Sequence, residues 1–179
     1  MPVTIRQATS EDIPVLEILI RDSVKTLQAA YYTTEQMEGA LGTVFGVDTQ
    51  LIRDGTYFVA EVDTAIVGCG GWSRRKTLFG SDHVAQKDDS RLDPSRDPAR
   101  IRAFFVRPGW ERQGIGSRIL AVCESAAVSQ GFSHFELVAT LPGEPMYQAR
   151  GFSATDRFDA PLPNGLGLPV VRMVKSTDS

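Results

Sequence analysis

The sequence predicts a mixed α/β (α+β) domain, and three observations carry that reading. Period-two and helical segments follow one another as strand, helix, helix, three strands, helix, strand, helix, two strands. The residues Asp63-Thr64 leave room only for a tight hairpin between "TYFVAEV" and "AIVGCGGW". Residues 101–140 read as strand, helix, strand, a crossover that needs one parallel pair in an otherwise antiparallel sheet.

"VTIRQA" (3–8) alternates as a short strand. Ser10 is a candidate N-cap, and Glu11 and Asp12 suit the positive end of a helix dipole. Ile13, Leu16, Ile20, Val24 and Leu27 then recur at helical spacing. Thr33 and Gln36 form a capping-box pattern, and Met37, Leu41 and Phe45 extend a glycine-diluted helix behind it. After the 56–62 and 65–72 strands comes a polar stretch from about 73 to 99, which reads as a functional loop or as partly disordered. "RIRAFFV" is the next strand. Ile115, Ile119, Val122, Cys123 and Ala126 line one face of a helix that Gly131 ends. "HFELVAT" is a strand and "EPMYQAR" a short helix; "FSATDRF" and "LPVVRMV" close the chain as strands around "DAPLPNGLG".

The 179 residues fit one domain (1–179) able to bury a sizeable core. A net charge of −3 gives no electrostatic case for nucleic acid or an anionic membrane, and no apolar run reaches the ~20 residues of a span. Two distant cysteines in apolar runs, Cys69 and Cys123, read as reduced buried thiols, and with only two histidines, His83 and His134, no zinc site is expected. With no basic-then-apolar leader at the start, the expected address is cytoplasmic.

"RPGWERQGIGSRIL" (107–120) carries most of the functional information. With 16 glycines in the chain, about one Gly-x-Gly pair arises by chance. Of Gly68/Gly70, Gly114/Gly116 and Gly165/Gly167, only the middle pair follows a strand and opens an amphipathic helix. There the amides from about Gln113 to Ser117 are unpaired, glycine keeps side chains away, and Arg112 and Arg118 add positive charge, so a phosphate or pyrophosphate fits. A Walker-type Gly-Lys-Ser/Thr is missing, and Ile119 stands where a dinucleotide fingerprint needs a small residue. A plain strand-to-helix turn without ligand fits the same spacing.

"IRAFFVRPGWERQGIGSRIL" resembles the acetyl-CoA-binding segment of the GNAT superfamily of N-acetyltransferases, with Val106-Arg107-Pro108 at the strand end and Gly114 and Gly116 at the small positions of Gln/Arg-x-x-Gly-x-Gly/Ala. Glu111 replaces the family's Gln or Arg. "ATLPGEPMYQARGF" (139–152) resembles the family's next strand and short helix, with Met146-Tyr147 and Gly151-Phe152 matching. The resemblance implies a mostly antiparallel sheet of six to seven strands, one parallel pair splayed to hold the coenzyme, and about four flanking helices. It implies acetyl-CoA as co-substrate, held by Phe105, Val106, Arg107, Arg112, Gln113, Gly114, Ile115, Gly116, Ser117, Thr140 and Tyr147, with no metal.

The implied reaction moves acetyl to the primary amine of a small molecule by direct attack. A backbone N–H near Val106 would polarise the carbonyl. Tyr147 would meet the leaving thiolate, either with a lowered pKa or mainly as a hydrogen-bond donor. Where many relatives carry a glutamate, Arg100 stands, so Asp97, His83, Glu61, a water chain or no base at all remain open. By analogy the acceptor lies near Tyr31, Tyr32 and Glu35, with "PLPNGLG" opposite and Trp72 nearby. A non-catalytic acyl-CoA-binding module and a protein or peptide acetyltransferase are the alternatives; homodimers are common in the family.

Overall fold

The period-two segments build one seven-stranded sheet. A computed structural model describes residues 2–85 and 87–177. The strands are β1 (Thr4–Gln7), β2 (Tyr57–Val62), β3 (Ala65–Ser73), β4 (Ala99–Val106), β5 (His134–Thr140), β6 (Ser153–Pro161) and β7 (Gly167–Ser176). Their spatial order is β1-β2-β3-β4-β5-β7-β6. Every neighbouring pair is antiparallel except β4 with β5. The β2–β3 link is tight as expected: Asp63 and Thr64 both take positive φ, 48° and 68°, the handedness that matches strand twist.

Helices cover both faces: α1 (Ile13–Leu27), α2 (Thr34–Ala40), α3 (Thr49–Arg53), α4 (Ile115–Ser129) and α5 (Glu144–Ala149). Strand alternation sorts the core in two. Phe58, Ala60 and Val67 face Ile115, Ile119 and Cys123 of α4. Tyr57, Val59 and Cys69 face Leu16, Ile20 and Val24 of α1. Gly68 lets α4 approach β3, since a Cβ there would stand 2.6 Å from Ile115 Cγ2. Both cysteines are buried and unbridged, and burial pushes the Cys69 thiol up to about 12, so it stays protonated and unreactive.

Three local readings need correction, and one left open takes the first of its two alternatives. The first turn is capped by Thr9 rather than Ser10, because the Asp12 carboxylate turns back to accept the Thr9 N–H at 2.8 Å. The capping box at Thr33 and Gln36 forms, but α2 stops at Ala40. Leu41 is extended and Gly42 turns the chain with φ 88°, so Phe45 is in no helix. The additional helix α3 starts at Asp48, whose side chain accepts the Gln50 N–H at 3.0 Å. The 73–99 stretch, apart from residue 86, is a folded loop. Thr77 and Lys76 donate their backbone N–H groups to Asp88 and Ser90, Leu92 is buried, and Arg75 forms an ion pair with Asp54 at 2.8 Å.

Candidate active site

The parallel pair creates the site. β4 and β5 are in register only at Ala99–Phe135 and Arg100–Glu136. Glu136 ties this end shut through Arg100, at 2.5 Å, and Arg172. Beyond it the strands diverge, and the β3–β4 register slips between Cys69 and Gly71. Ala103 sits in the bulge with φ 58°, and its carbonyl accepts the Tyr57 hydroxyl at 2.7 Å. Such a bulge bends the strand and re-aims its backbone. Between the separated strands opens a cleft of about 720 Å³, with Ile101–Val106 along one wall and Val138–Thr140 along the other. The splay leaves backbone donors and acceptors of both strands to be satisfied from the gap.

At one end of the cleft is the mouth of α4. Gly114 is its N-cap with φ 80°, a conformation that costs a side-chain-bearing residue about 1–2 kcal/mol. The first helical bond closes from Arg118 N–H to Gly114 O, so the amides ahead of Arg118 have no helical acceptor. Gly116 packs under Met146, whose Sδ would lie 3.2 Å from an added Cβ. No acidic residue occupies the first turn. The Glu111 carboxylate turns back to accept the Gly109 N–H at 2.8 Å, closing the preceding turn. This donor set suits a diphosphate: converging backbone amides, a positive dipole end and adjacent arginines.

Of the residues assigned to the coenzyme, Phe105, Val106, Arg112, Gly114, Ile115, Gly116, Ser117, Thr140 and Tyr147 line the cleft. Arg107 and Gln113 do not. Arg107 is exposed and its N–H goes to Val67 O at 2.9 Å, while Gln113 Nε2 folds back to Gly109 O at 3.2 Å. Arg118 also turns away, donating to Val3 O at 3.0 Å. Arg150 lines the cleft instead, and its Nε meets Ser117 Oγ at 3.1 Å. Its signal in the sequence is its place three residues after Tyr147, at the end of a short helix.

Tyr147 lies between Phe104 and Phe152, with edge-on ring contacts at 6.1 and 5.8 Å. Burial, and secondarily Cys123, push its hydroxyl well above the usual tyrosine range, and no described residue hydrogen-bonds it. The surroundings of Tyr147 therefore raise its pKa and do not lower it. The hydroxyl remains protonated at working pH, a donor without a protein acceptor.

The opposite end of the cleft is assembled from Ser23, Leu27, Gln28 and Tyr31 of α1 and its exit, Val44 and Phe45, and Leu78–Gly80 of the long loop. Only Tyr31 of the expected acceptor residues lines it. Tyr32 is a buried pin: its hydroxyl donates to Pro169 O at 2.7 Å and accepts the Leu141 N–H at 3.0 Å, and burial raises its pKa to about 12. Trp72 packs in the α4-side core against Phe132. Glu35 is exposed, and its carbonyl accepts Asn164 Nδ2 at 2.9 Å, so "PLPNGLG" closes on α2 instead of facing the cleft. Sequence reasoning missed the loop 78–80 and Arg102. Arg102 is held by Asp48 at 2.9 Å and by Gly80 O at 2.6 Å. Nothing in the local pattern of a polar loop signals that it folds back onto β4.

None of the three candidate bases reaches the cleft. Asp97 accepts the Asp93 N–H at 2.8 Å, Glu61 pairs with Arg6 at 2.5 Å, and His83 is exposed on the long loop. Among the described residues Glu111 is the one carboxylate of the lining, alongside Arg102, Arg112 and Arg150.

The same fold occurs in known structures. A GCN5-related N-acetyltransferase from Rhodopseudomonas palustris superposes with TM-score 0.73 at 20% identity, covering 98% of this chain and 96% of that one. The PaiA N-acetyltransferase from Thermoplasma acidophilum, solved in complex with coenzyme A, superposes with TM-score 0.66 at 16% identity over 98% and 99%. The ribosomal-protein-S18-alanine N-acetyltransferase from Escherichia coli gives 0.60 at 13% over 98% and 94%. At these identities the likeness is one of fold. The family match is made on the sequence itself: the acetyltransferase (GNAT) family model covers residues 17–152, from α1 through the α4 mouth to the end of α5. The chain belongs to the acetyltransferase (GNAT) family.

Proposed function

We propose that this acyltransferase uses acetyl-CoA and moves its acetyl group to the primary amine of a small molecule by direct attack. The observation that carries the reading is the α4 mouth opening onto the splay between β4 and β5. One continuous cleft thus offers amides for a diphosphate and then strand-edge groups for an extended, amide-bearing arm. Bound there, acetyl-CoA supplies an activated thioester.

The chain's own residues do the rest. Gly114, Ile115, Gly116 and Ser117 present the amides, with Arg112 and Arg150 beside them. A backbone N–H near Val106 polarises the thioester carbonyl. Tyr147 donates a hydrogen bond to the leaving sulfur. A full proton transfer from an ordinary tyrosine to an ordinary thiolate is already uphill by about 2 kcal/mol, and burial of Tyr147 makes it more so. Most of the rate then comes from holding two reactants in line.

The folded loop over the acceptor end, closed by the Thr77–Asp88 pairing at 2.9 Å, favours a small acceptor over a polypeptide. Thiol release from acetyl-CoA, screened across amines, polyamines, amino acids and peptides, tests the proposal. Turnover with small amines supports it. Turnover with peptides alone shifts the acceptor class, and acetyl-CoA binding without thiol release leaves a binding module.

A further inference from the structure

The acceptor end of the cleft joins two features. Its wall is apolar, with Leu27, Val44, Leu78 and Phe79 half-buried and Phe45 buried. Among the described residues it also brings no negative charge. The charged groups of the lining are Arg102, Arg112, Arg150 and Glu111, and Glu111 belongs to the opposite, α4 end. The buried carboxylate behind Arg102, Asp48, is spent on Arg102 at 2.9 Å and Lys87 at 3.1 Å. Ser23, Gln28 and Tyr31 are neutral, and the buried Gln28 Oε1 has no hydrogen-bond partner among the described residues. The described residues of this end can receive a neutral N–H but offer an ammonium neither a counter-charge nor a base.

We infer that the acceptor is an apolar, weakly basic amine, of the arylamine type, that enters the cleft already neutral; the inference rests on the acetyltransferase reading above. An alkylamine with the basicity of lysine is neutral in roughly one molecule in 2,500 at pH 7. Its charged form would leave water for an apolar wall beside Arg102, which is costly without a partner. A delocalised nitrogen avoids both costs. Its lone pair forms the C–N bond at the acetyl carbonyl, the C–S bond breaks with its electron pair going to sulfur, and the proton shed by nitrogen ends on the thiol or in solvent. The products are the N-acetyl amide and free coenzyme thiol.

The isomers 4-methylaniline and benzylamine provide the test, since they share atoms and approximate shape and differ in basicity. With the wild-type protein and acetyl-CoA at pH 7, kcat/KM for 4-methylaniline should exceed that for benzylamine by about 10-fold or more, the weaker nucleophile losing part of its ionisation advantage. Between pH 6 and 9, benzylamine should gain about tenfold per pH unit while 4-methylaniline stays flat. Benzylamine equal or better at pH 7, or levelling off below pH 8, overturns the inference by revealing a base. Neither amine acetylated while calorimetry shows acetyl-CoA bound also overturns it and leaves the coenzyme reading standing. Failure to bind acetyl-CoA overturns that reading itself. In Leu78→Glu, with a thermal melt to show folding, the benzylamine to 4-methylaniline ratio should rise about 10-fold while Leu78→Gln leaves it in place; equal ratios in the two variants contradict the inference.

Discussion

Two glycines in left-handed backbone, five residues apart, separate strain from ligand binding. Gly109 has φ 93° and Gly114 has φ 80°, and an added Cβ would meet nothing within 4 Å at either. Alanine at each position therefore carries the same backbone cost and no clash, about 1–2 kcal/mol of folding stability. For a chain of this size that lowers Tm by roughly 2–8 °C. The two differ in place: Gly114 lines the cleft and Gly109 does not. A methyl at Gly114 stands over the amides and displaces an anion from at least one charge-assisted hydrogen bond, about 1.5–3 kcal/mol, or roughly 10- to 100-fold in Kd. Calorimetric titration of acetyl-CoA into both variants, with melts alongside, is the assay. Equal melting losses with weakened binding in Gly114→Ala alone are expected. Equal Kd values in the two variants refute the placement of the diphosphate.

Tyr147→Phe should lower kcat by about 10- to 100-fold with little change in KM for acetyl-CoA, and Tm should hold because no described residue hydrogen-bonds the hydroxyl; unchanged turnover removes the residue from the reaction. Asp48→Asn leaves the buried Arg102 without its carboxylate and should cost about 3–5 kcal/mol, seen as a lower midpoint in denaturant. Burial alone would raise the Asp48 pKa, but Arg102, Lys87 and the Gln50 N–H outweigh it and hold the carboxyl below its usual value. Its contribution is thus complete above the unfolded-state value near 4 and is lost as pH falls through the lower folded value, so the wild-type and Asn proteins should converge in stability in acid and differ at pH 7.

The parts of the fold that were legible are those set by neighbours in sequence. The strand boundaries of β5, the Asp63-Thr64 hairpin, the Thr33–Gln36 cap and the α4 mouth follow from local pattern and turn chemistry. The α4 mouth was readable because its function is done by backbone, and glycine spacing reports on backbone directly. The acceptor end is built from side chains brought together across the chain. Leu27 comes from α1, Phe45 from a turn that glycine cut out of a helix, and Leu78 from a polar loop pinned by Asp48 and Asp88 through Arg102 and Thr77. Tyr31 and Tyr32 show the limit most clearly: one faces the cleft and its neighbour bridges Leu141 and Pro169, a choice set by the chain's exit from α1 and not by residue type. Trp72 went inward because β3 is covered on both faces.

Acetyl-CoA and S-acetylpantetheine carry the same thioester and the same amide-bearing arm, and only the first has the diphosphate and the 3′-phosphoadenosine attached to it. Their relative affinity for the wild-type protein, measured by calorimetry, tests the central claim most directly. Binding of acetyl-CoA at least about 100-fold tighter is predicted, from two or more charge-assisted hydrogen bonds at the α4 mouth; equal affinity would contradict it.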